Sequence, residues 1–423
     1  MAFTGATSSS LSDDVSLYIR DELLDIAEKN VVFAQHALMA PLPQHMGKTC
    51  QFSRYPRLSL PMIAATEGET PASVALSVET VQAITDQWIL VVEHSDLAEI
   101  TIKHPIVSVT TDLLGLAQAE LVDREIQKAL MADSDVVFAN AVAGSNTVRS
   151  NLTTTDVVNS TEMRNLWAVL SRNGARRLGT NYVFICDPEV SQDISAQSDF
   201  MNAHQLGQAK QLFNNQIGSW MGFDIEVSNF IPIVTLGSSG DWTVAAATIT
   251  NSFSDGDTVN VYLEAVNSST GLVEKAYAVK VTTVTTAEGV NVTVPSTTGF
   301  VYNVYVANVT NDATIANSQL YAEAQAAGTT VAVASFTTSD ASARRPQQAP
   351  TTGVEVHTSY AIGKEAYGMV KLSGDNLRVL MTDGKPSDSD PAAQRRKISL
   401  KGSFKAVVLN ADWVQRIESG SAF

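Results

Sequence analysis

The stretch from Arg54 to Asp96, RYPRLSLPMIAATEGETPASVALSVETVQAITDQWILVVEHSD, constrains the fold most. Two runs with strand chemistry, around Cys50–Leu60 and Val74–Val92, flank a turn-rich centre, Thr66-Glu67-Gly68-Glu69-Thr70-Pro71. Gly68 and Pro71 interrupt any helix there, while Val, Ile, Thr, Tyr and Phe populate the flanking runs. The pattern predicts a long hairpin over about Met46–Asp96 with Glu67-Gly68 at its exposed tip. Its apolar positions include Phe52, Leu58, Leu60, Val74, Leu76, Val78, Ile89 and Val91. Two strands cannot cover all of these, and an isolated hairpin is marginal in water. A surface outside the hairpin must cover them, and another copy of the same chain is the simplest candidate.

At 423 residues the chain has room for two or three domains. With 44% hydrophobic and 17% charged residues it reads as globular rather than disordered. No apolar run is long enough to span a bilayer. The start, MAFTGATSSSLSDD, lacks the basic end and apolar core of a signal peptide, so none is expected. Cys50 and Cys186 lie in separate blocks without metal spacing, which predicts two reduced, buried thiols in a cytoplasmic product. The net charge of −16 argues against a general nucleic-acid binder, because neutralising phosphates needs Lys and Arg.

Helical periodicity marks three segments. Leu17, Leu24, Ala27, Val31, Ala34 and Leu38 make one face of a helix over 12–38, capped by Ser12 or Asp13 and ended by Pro41 and Pro43. A broad apolar face from Leu113 to Leu130 predicts a helix over about Thr110–Asp133, roughly 36 Å long at 1.5 Å per residue. Met163, Leu166, Trp167 and Leu170 predict a third over 160–178, with Ser160 or Thr161 as cap and a break at Asn173-Gly174. Tyr182–Cys186 reads as a buried strand stopped by Asp187-Pro188, and Pro188–Ile194 as a further capped segment. Ser399–Ile417 reads as a strand-like return with Trp413 near its end.

Composition changes abruptly at about Leu236. No Lys or Arg occurs between Lys280 and Arg344. Alternating runs recur at Thr258–Ala265, Ala276–Val284, Val290–Val294, Val301–Val309 and Thr330–Phe336, with Asp255-Gly256-Asp257, Ser268–Gly271, Glu288-Gly289 and Thr310–Asp312 as turns. This predicts an antiparallel β-sandwich with Tyr302 and Tyr305 as core aromatics, loosely immunoglobulin-like. Gly237-Ser238-Ser239-Gly240 and Arg345–Pro350 read as its linkers.

Catalytic and metal signatures are weak. Met46-Gly47-Lys48-Thr49 ends like a phosphate loop, but Leu42 stands where the first glycine is required, so a polar turn is expected. His36, His45, His94, His104, His204 and His357 show no metal spacing. Glu93-His94-Ser95-Asp96 would alternate faces on a strand and cannot converge on one substrate. Asp255-Gly256-Asp257 fits a hairpin turn better than a calcium loop, lacking a distant Glu. No enzyme, metal or cofactor is expected.

The ordered set Arg54, Leu58, Glu67, Gly68, Thr70, Pro71, Leu76, Ser77, Ser95 and Asp96, then Ala361–Gly368, then Asp390-Pro391, Gln394-Arg395, Leu400-Lys401 and Val407–Ile417, resembles the major capsid proteins of enquatrovirus-type tailed phages. The likeness covers roughly residues 12–235 and 351–420. It implies a mixed α+β fold of the Hong-Kong-97 type. In that scheme residues 1–45 are an N-terminal arm and 46–105 an extended loop. Residues 106–150 and 395–423 form a peripheral domain with a long spine helix, and 151–235 with 351–394 an axial domain. Residues 236–350 are an inserted β-sandwich.

The implied function is a shell of hexamers and pentamers around double-stranded DNA, in a virion head assembled in the host bacterial cytoplasm. Implied partners are a portal protein and, in some systems, scaffolding and decoration proteins, with no membrane. An encapsulin-like cargo shell and an adhesin binding through the β-sandwich are the alternatives. The extended-loop residues Arg54, Leu58, Glu67, Gly68, Pro71, Leu76 and Trp88 are expected between subunits. A negative wall suits weak hold on DNA. Arg172/Arg176/Arg177 and Arg395/Arg396/Lys397 suit solvated or intersubunit charge, with DNA contact by Arg176, Arg177, Arg395 and Arg396 as the alternative.

Overall fold

The structure is a computed structural model describing residues 31–58, 60, 73–101, 106–133, 135–140, 148–197, 218–247, 249, 253, 256–284, 289–308, 318–334, 349–375, 378–381 and 394–422. The chain divides into two compact units. Of the described residues, the larger holds those within 31–88, 118–375 and 402–422, and the smaller those within 89–117 and 378–401.

At the centre of the larger unit lies a six-stranded mixed sheet, ordered Asp135–Phe138, Val414–Ser419, His357–Ile362, Tyr182–Cys186, Phe223–Val227 and Ser219–Trp220. His357–Ile362 runs antiparallel to both neighbours, while Tyr182–Cys186 and Phe223–Val227 are parallel. The continuous apolar run of Tyr182–Cys186 follows from its position, because both faces of this strand are covered. Tyr182, Phe184 and Cys186 pack against Met163, Leu166 and Leu170 of helix α4 (Ser160–Arg172) and Val190 and Ile194 of helix α5 (Pro188–Ser195). Val183 and Ile185 point the other way, into a core with Val122, Ile126 and Leu130 of helix α3 (Ile106–Asp133). Numbering starts at α1 (Phe33–His36), followed by α2 (Asp96–Thr101).

The predicted spine helix is α3, with 28 residues spanning about 42 Å. The arm helix differs from expectation. Residues 1–30 lie outside the described set; of the remainder, only Phe33–His36 is helical, and Leu38–Leu42 is a strand parallel to Tyr367–Leu372. Tertiary pairing overrides the helical period there, and Pro41 is tolerated within this strand. The cap of α4 is Asn159, whose side chain accepts the Thr161 and Glu162 amides, not Ser160 or Thr161. The helix stops at Arg172, before Asn173-Gly174.

The hairpin forms with Thr49–Arg54 antiparallel to Glu79–Ile84, from Thr49↔Ile84 to Arg54↔Glu79. It is shorter than predicted. Residues 55–58 and 73–78 carry no strand pairing, and the second run breaks at Thr85, whose amide and hydroxyl both bond the Lys48 carbonyl. Asp86–Ser95 continues as a separate strand outside the two-stranded sheet. The turn at the hairpin base falls at Gln44–His45, just before the expected Met46–Thr49; Gly47 follows at φ 79° and Thr49 opens the strand.

Residues 235–334 contribute two sheets to the larger unit. One is ordered Gln319–Ala326, Phe300–Asn308, Thr258–Asn267, Val273–Tyr277 and Thr235–Gly237, with Lys280–Thr283 also on Thr258–Asn267; the other is Thr243–Ala247, Gly289–Thr293 and Thr330–Val333. Alternate residues Val259, Val261, Leu263 and Ala265 share one core with Val290, Val292, Val331, Val333 and Trp242. Tyr302 lies in that core, whereas Tyr305 faces the opposite side with Tyr262 and bonds Glu264 through its hydroxyl at 2.9 Å. The run expected over Ala276–Val284 is two strands. Between the pairs Glu264↔Ala276 and Val261↔Lys280 the second strand carries one extra residue, a bulge that divides it. Gly237, expected within a linker, belongs to a strand beside Tyr277; a Cβ there would come within 2.3 Å of the Tyr277 ring.

Candidate assembly surfaces

The hairpin base is anchored, and the described apolar residues beyond it are exposed. Ala83 packs with Leu42 and Val370, and Cys50 and Phe52 lean on the same cluster, so Cys50 is half-buried rather than buried. Arg54 and Glu79 close the last register pair at 2.6 Å, both half exposed, a contact contributing about 0–1 kcal/mol. Further out, Leu58 is 54% and Leu76 62% exposed, with Tyr55, Leu60, Val74 and Val78 also open to solvent. Glu67, Gly68 and Pro71 lie outside the described residues. Trp88 turns inward instead, half-buried against Phe404, with the Arg124 guanidinium 5.1 Å from its ring centroid. In the smaller unit four consecutive apolar residues, Ile89, Leu90, Val91 and Val92, are exposed, as are Leu97 and Ile100 of α2. Single exposed apolar residues are ordinary, but contiguous ones mark contact surfaces.

The basic residues mostly meet carboxylates of their own unit. Arg396 lies 2.8 Å from Glu99, while Arg395 and Lys397 lie 3.7 Å and 3.4 Å from Glu93. Arg177 stacks over Trp167 and Tyr182, at 5.5 Å and 5.7 Å. Arg176 is open to solvent, its side chain 71% exposed and 4.0 Å from Glu365. The Glu93–Asp96 stretch divides as its alternation predicts: Ser95 accepts the Ala98 amide at the start of α2, and the His94 ring is buried 4.0 Å from Glu99.

One cluster escaped sequence reasoning. Asp187 caps α5 by accepting the Val190 amide at 2.9 Å, and its other oxygen meets His357 Nδ1. His357 Nε2 lies 3.3 Å from Glu189, and Glu355 completes the group. Burial disfavours the imidazolium, but Asp187, Glu189 and Glu355 outweigh it and raise the His357 pKa. The partners stand 170 positions apart in the case of Asp187 and His357, so no local spacing could reveal them.

No family model matches the sequence, and no curated protein matches it. Solved structures do. The capsid structure of cyanophage P-SCSP1u aligns over 97% of this chain and 94% of its own, at 13% identity and a TM-score of 0.55. The cyanophage Pam1 capsid asymmetric unit aligns over 100% of both chains at 9% identity and a TM-score of 0.54. The acid-stable capsid of Helicobacter pylori bacteriophage KHP30 aligns over 99% of both at 9% identity and 0.51. At such identities the likeness is one of fold, and it runs from end to end: this chain has the mixed α+β fold of phage capsid subunits.

Proposed function

We propose that the chain is the major capsid protein of a tailed phage, many copies of which close into an icosahedral head around double-stranded DNA. The observation that carries this reading is the end-to-end match in fold to the three capsid structures, each over at least 97% of the chain. The uncovered apolar stretches beside the anchored hairpin support it, because a neighbouring subunit supplies the missing partner surface. The fold is then of the Hong-Kong-97 type, with α3 as spine helix. The hairpin is the extended loop, and residues 236–350 an inserted, immunoglobulin-like β-domain on the outer face. The sequence pattern points to the enquatrovirus-type branch. Heterologous contacts around a ring close as hexamers and pentamers. A net charge of −16 suits a wall that holds DNA loosely, and a portal protein, with scaffolding or decoration proteins where used, completes the head. Arg176, with its side chain 71% exposed, is a candidate to meet phosphate.

Negative-stain microscopy of the purified full-length protein tests the reading. Closed shells or capsomer rings are expected. A monodisperse monomer at all concentrations would overturn it.

A further inference from the structure

We propose that Glu189, Glu355 and His357 form a binding site for a divalent transition-metal ion, zinc by preference, with Asp187 behind the imidazole. The His357 ring is fully buried, and among the described residues its Nε2 makes no hydrogen bond, though Glu189 Oε2 stands 3.3 Å away. A buried polar atom without a hydrogen bond is rare and asks for an occupant. What faces it is carboxylate: one ligand atom each from Glu189, Glu355 and His357 lie within 4.8 Å of one another. The other ring nitrogen is bonded to Asp187. An imidazole that donates Nδ1–H to a carboxylate turns its Nε2 lone pair outward, as metal-ligating histidines do.

The spacing and chemistry agree. Two ligands about 2.1 Å from a tetrahedral ion stand about 3.4 Å apart, against 3.3 Å between His357 Nε2 and Glu189 Oε2. Glu355 is exposed and free to swing the remaining distance. One nitrogen and two carboxylates leave a fourth position for water, a set that suits zinc better than magnesium or calcium, which prefer oxygen alone. The backbone fixes the donors. Asp187 caps α5 and so sets Glu189 in its first turn. Glu355 and His357 flank Val356, which bridges to Val234, and residues two apart on extended chain share a face. An ion there would fasten α5 to the segment by which the chain returns into the central sheet. The rival occupant of Nε2 is a proton, held as an imidazolium between Asp187 and Glu189.

The test uses the full-length protein, stripped with chelator and dialysed at pH 8 against zinc chloride, with metal analysis and thermal melts. The proposal expects one zinc per chain at micromolar free zinc and a raised Tm, since a ligand of the folded state stabilises it. Magnesium or calcium at the same concentration should leave the Tm unmoved. The Glu189→Gln/Glu355→Gln double variant changes two solvent-reaching side chains. It should melt like the metal-free parent and bind zinc at least tenfold more weakly; His357→Gln should do the same if it folds. Absence of zinc uptake, or undiminished uptake by the double variant, would overturn the proposal and leave His357 as the cation of a buried ion pair.

Discussion

Glu418 is 1% exposed in the central sheet, yet its surroundings favour the carboxylate. Arg149 grips it with two hydrogen bonds, the Nε one at 2.6 Å, and Arg416 lies 3.4 Å away while donating to the Met131 carbonyl at 2.8 Å. Burial alone would raise the Glu418 pKa, but the two guanidiniums and the Arg149 hydrogen bond outweigh it and hold the value below the ordinary 4.5. A carboxylate whose folded pKa is depressed contributes stability that is complete above its unfolded value and is lost as the pH falls through the folded one. Acid melts should therefore show Tm declining below about pH 5. Arg149→Met leaves Glu418 with Arg416 as its one guanidinium partner among the described residues and removes two hydrogen bonds, a change that costs about 3–5 kcal/mol for a broken buried pair. A denaturant midpoint unchanged at pH 7 would show that Arg416 alone suffices.

Helix α1 is only four residues long and its own N-cap, Val32, offers no side-chain oxygen. Asp123 of α3 supplies the cap from a distance, accepting the amides of Val32, Phe33 and Ala34 at 2.8, 3.2 and 3.0 Å. Phe33 then sits edge-on to Tyr360, and its carbonyl accepts the Tyr367 hydroxyl at 2.7 Å. Asp123→Ala should strand three amides and destabilise by about 2–4 kcal/mol. Hydrogen exchange at residues 32–34 should speed up more than at Tyr182–Cys186, and equal acceleration at both would refute the local tether. None of this was legible beforehand, because an acid 91 positions away leaves no local signature in sequence. The same limit explains why the helix expected as far as Leu38 ends at His36, since Leu38–Leu42 is fixed by a parallel partner more than 300 residues downstream. Elements whose period reflects their own burial were legible: α3 from its apolar face, Tyr182–Cys186 from its unbroken run, and Thr258–Asn267 from its alternation. Single-residue offsets, such as the bulge that divides Val273–Tyr277 from Lys280–Thr283, follow from pairing and escape any pattern.

Assembly, on the proposed reading, depends on apolar surface that one chain cannot bury. The hairpin base is already committed: Ala83 and Phe52 pack onto Leu42 and Val370, and Thr85 bonds Lys48. Leu58, Leu60, Val74, Leu76 and Val78 are left exposed beyond it. At about 25 cal/mol per Å² of apolar area, laying these side chains across a neighbour contributes several kcal/mol per contact before ordering costs. Base and distal part are therefore separable by mutation. Deleting Thr66–Pro71 removes the sequence-predicted tip and no residue of the packed base. Leu58→Asp with Leu76→Asp keeps chain length and places charge where the neighbour's apolar surface should lie. Both variants should retain the parent's circular dichroism and melt within a few degrees of it as isolated subunits, because exposed positions contribute little to subunit stability. Both should fail to form closed shells by electron microscopy. Loss of the subunit melt in both would mean that the segment belongs to the subunit core. Normal shells from both would mean that the exposed apolar residues are covered by nothing that matters to assembly, and the hairpin is not the clasp between subunits.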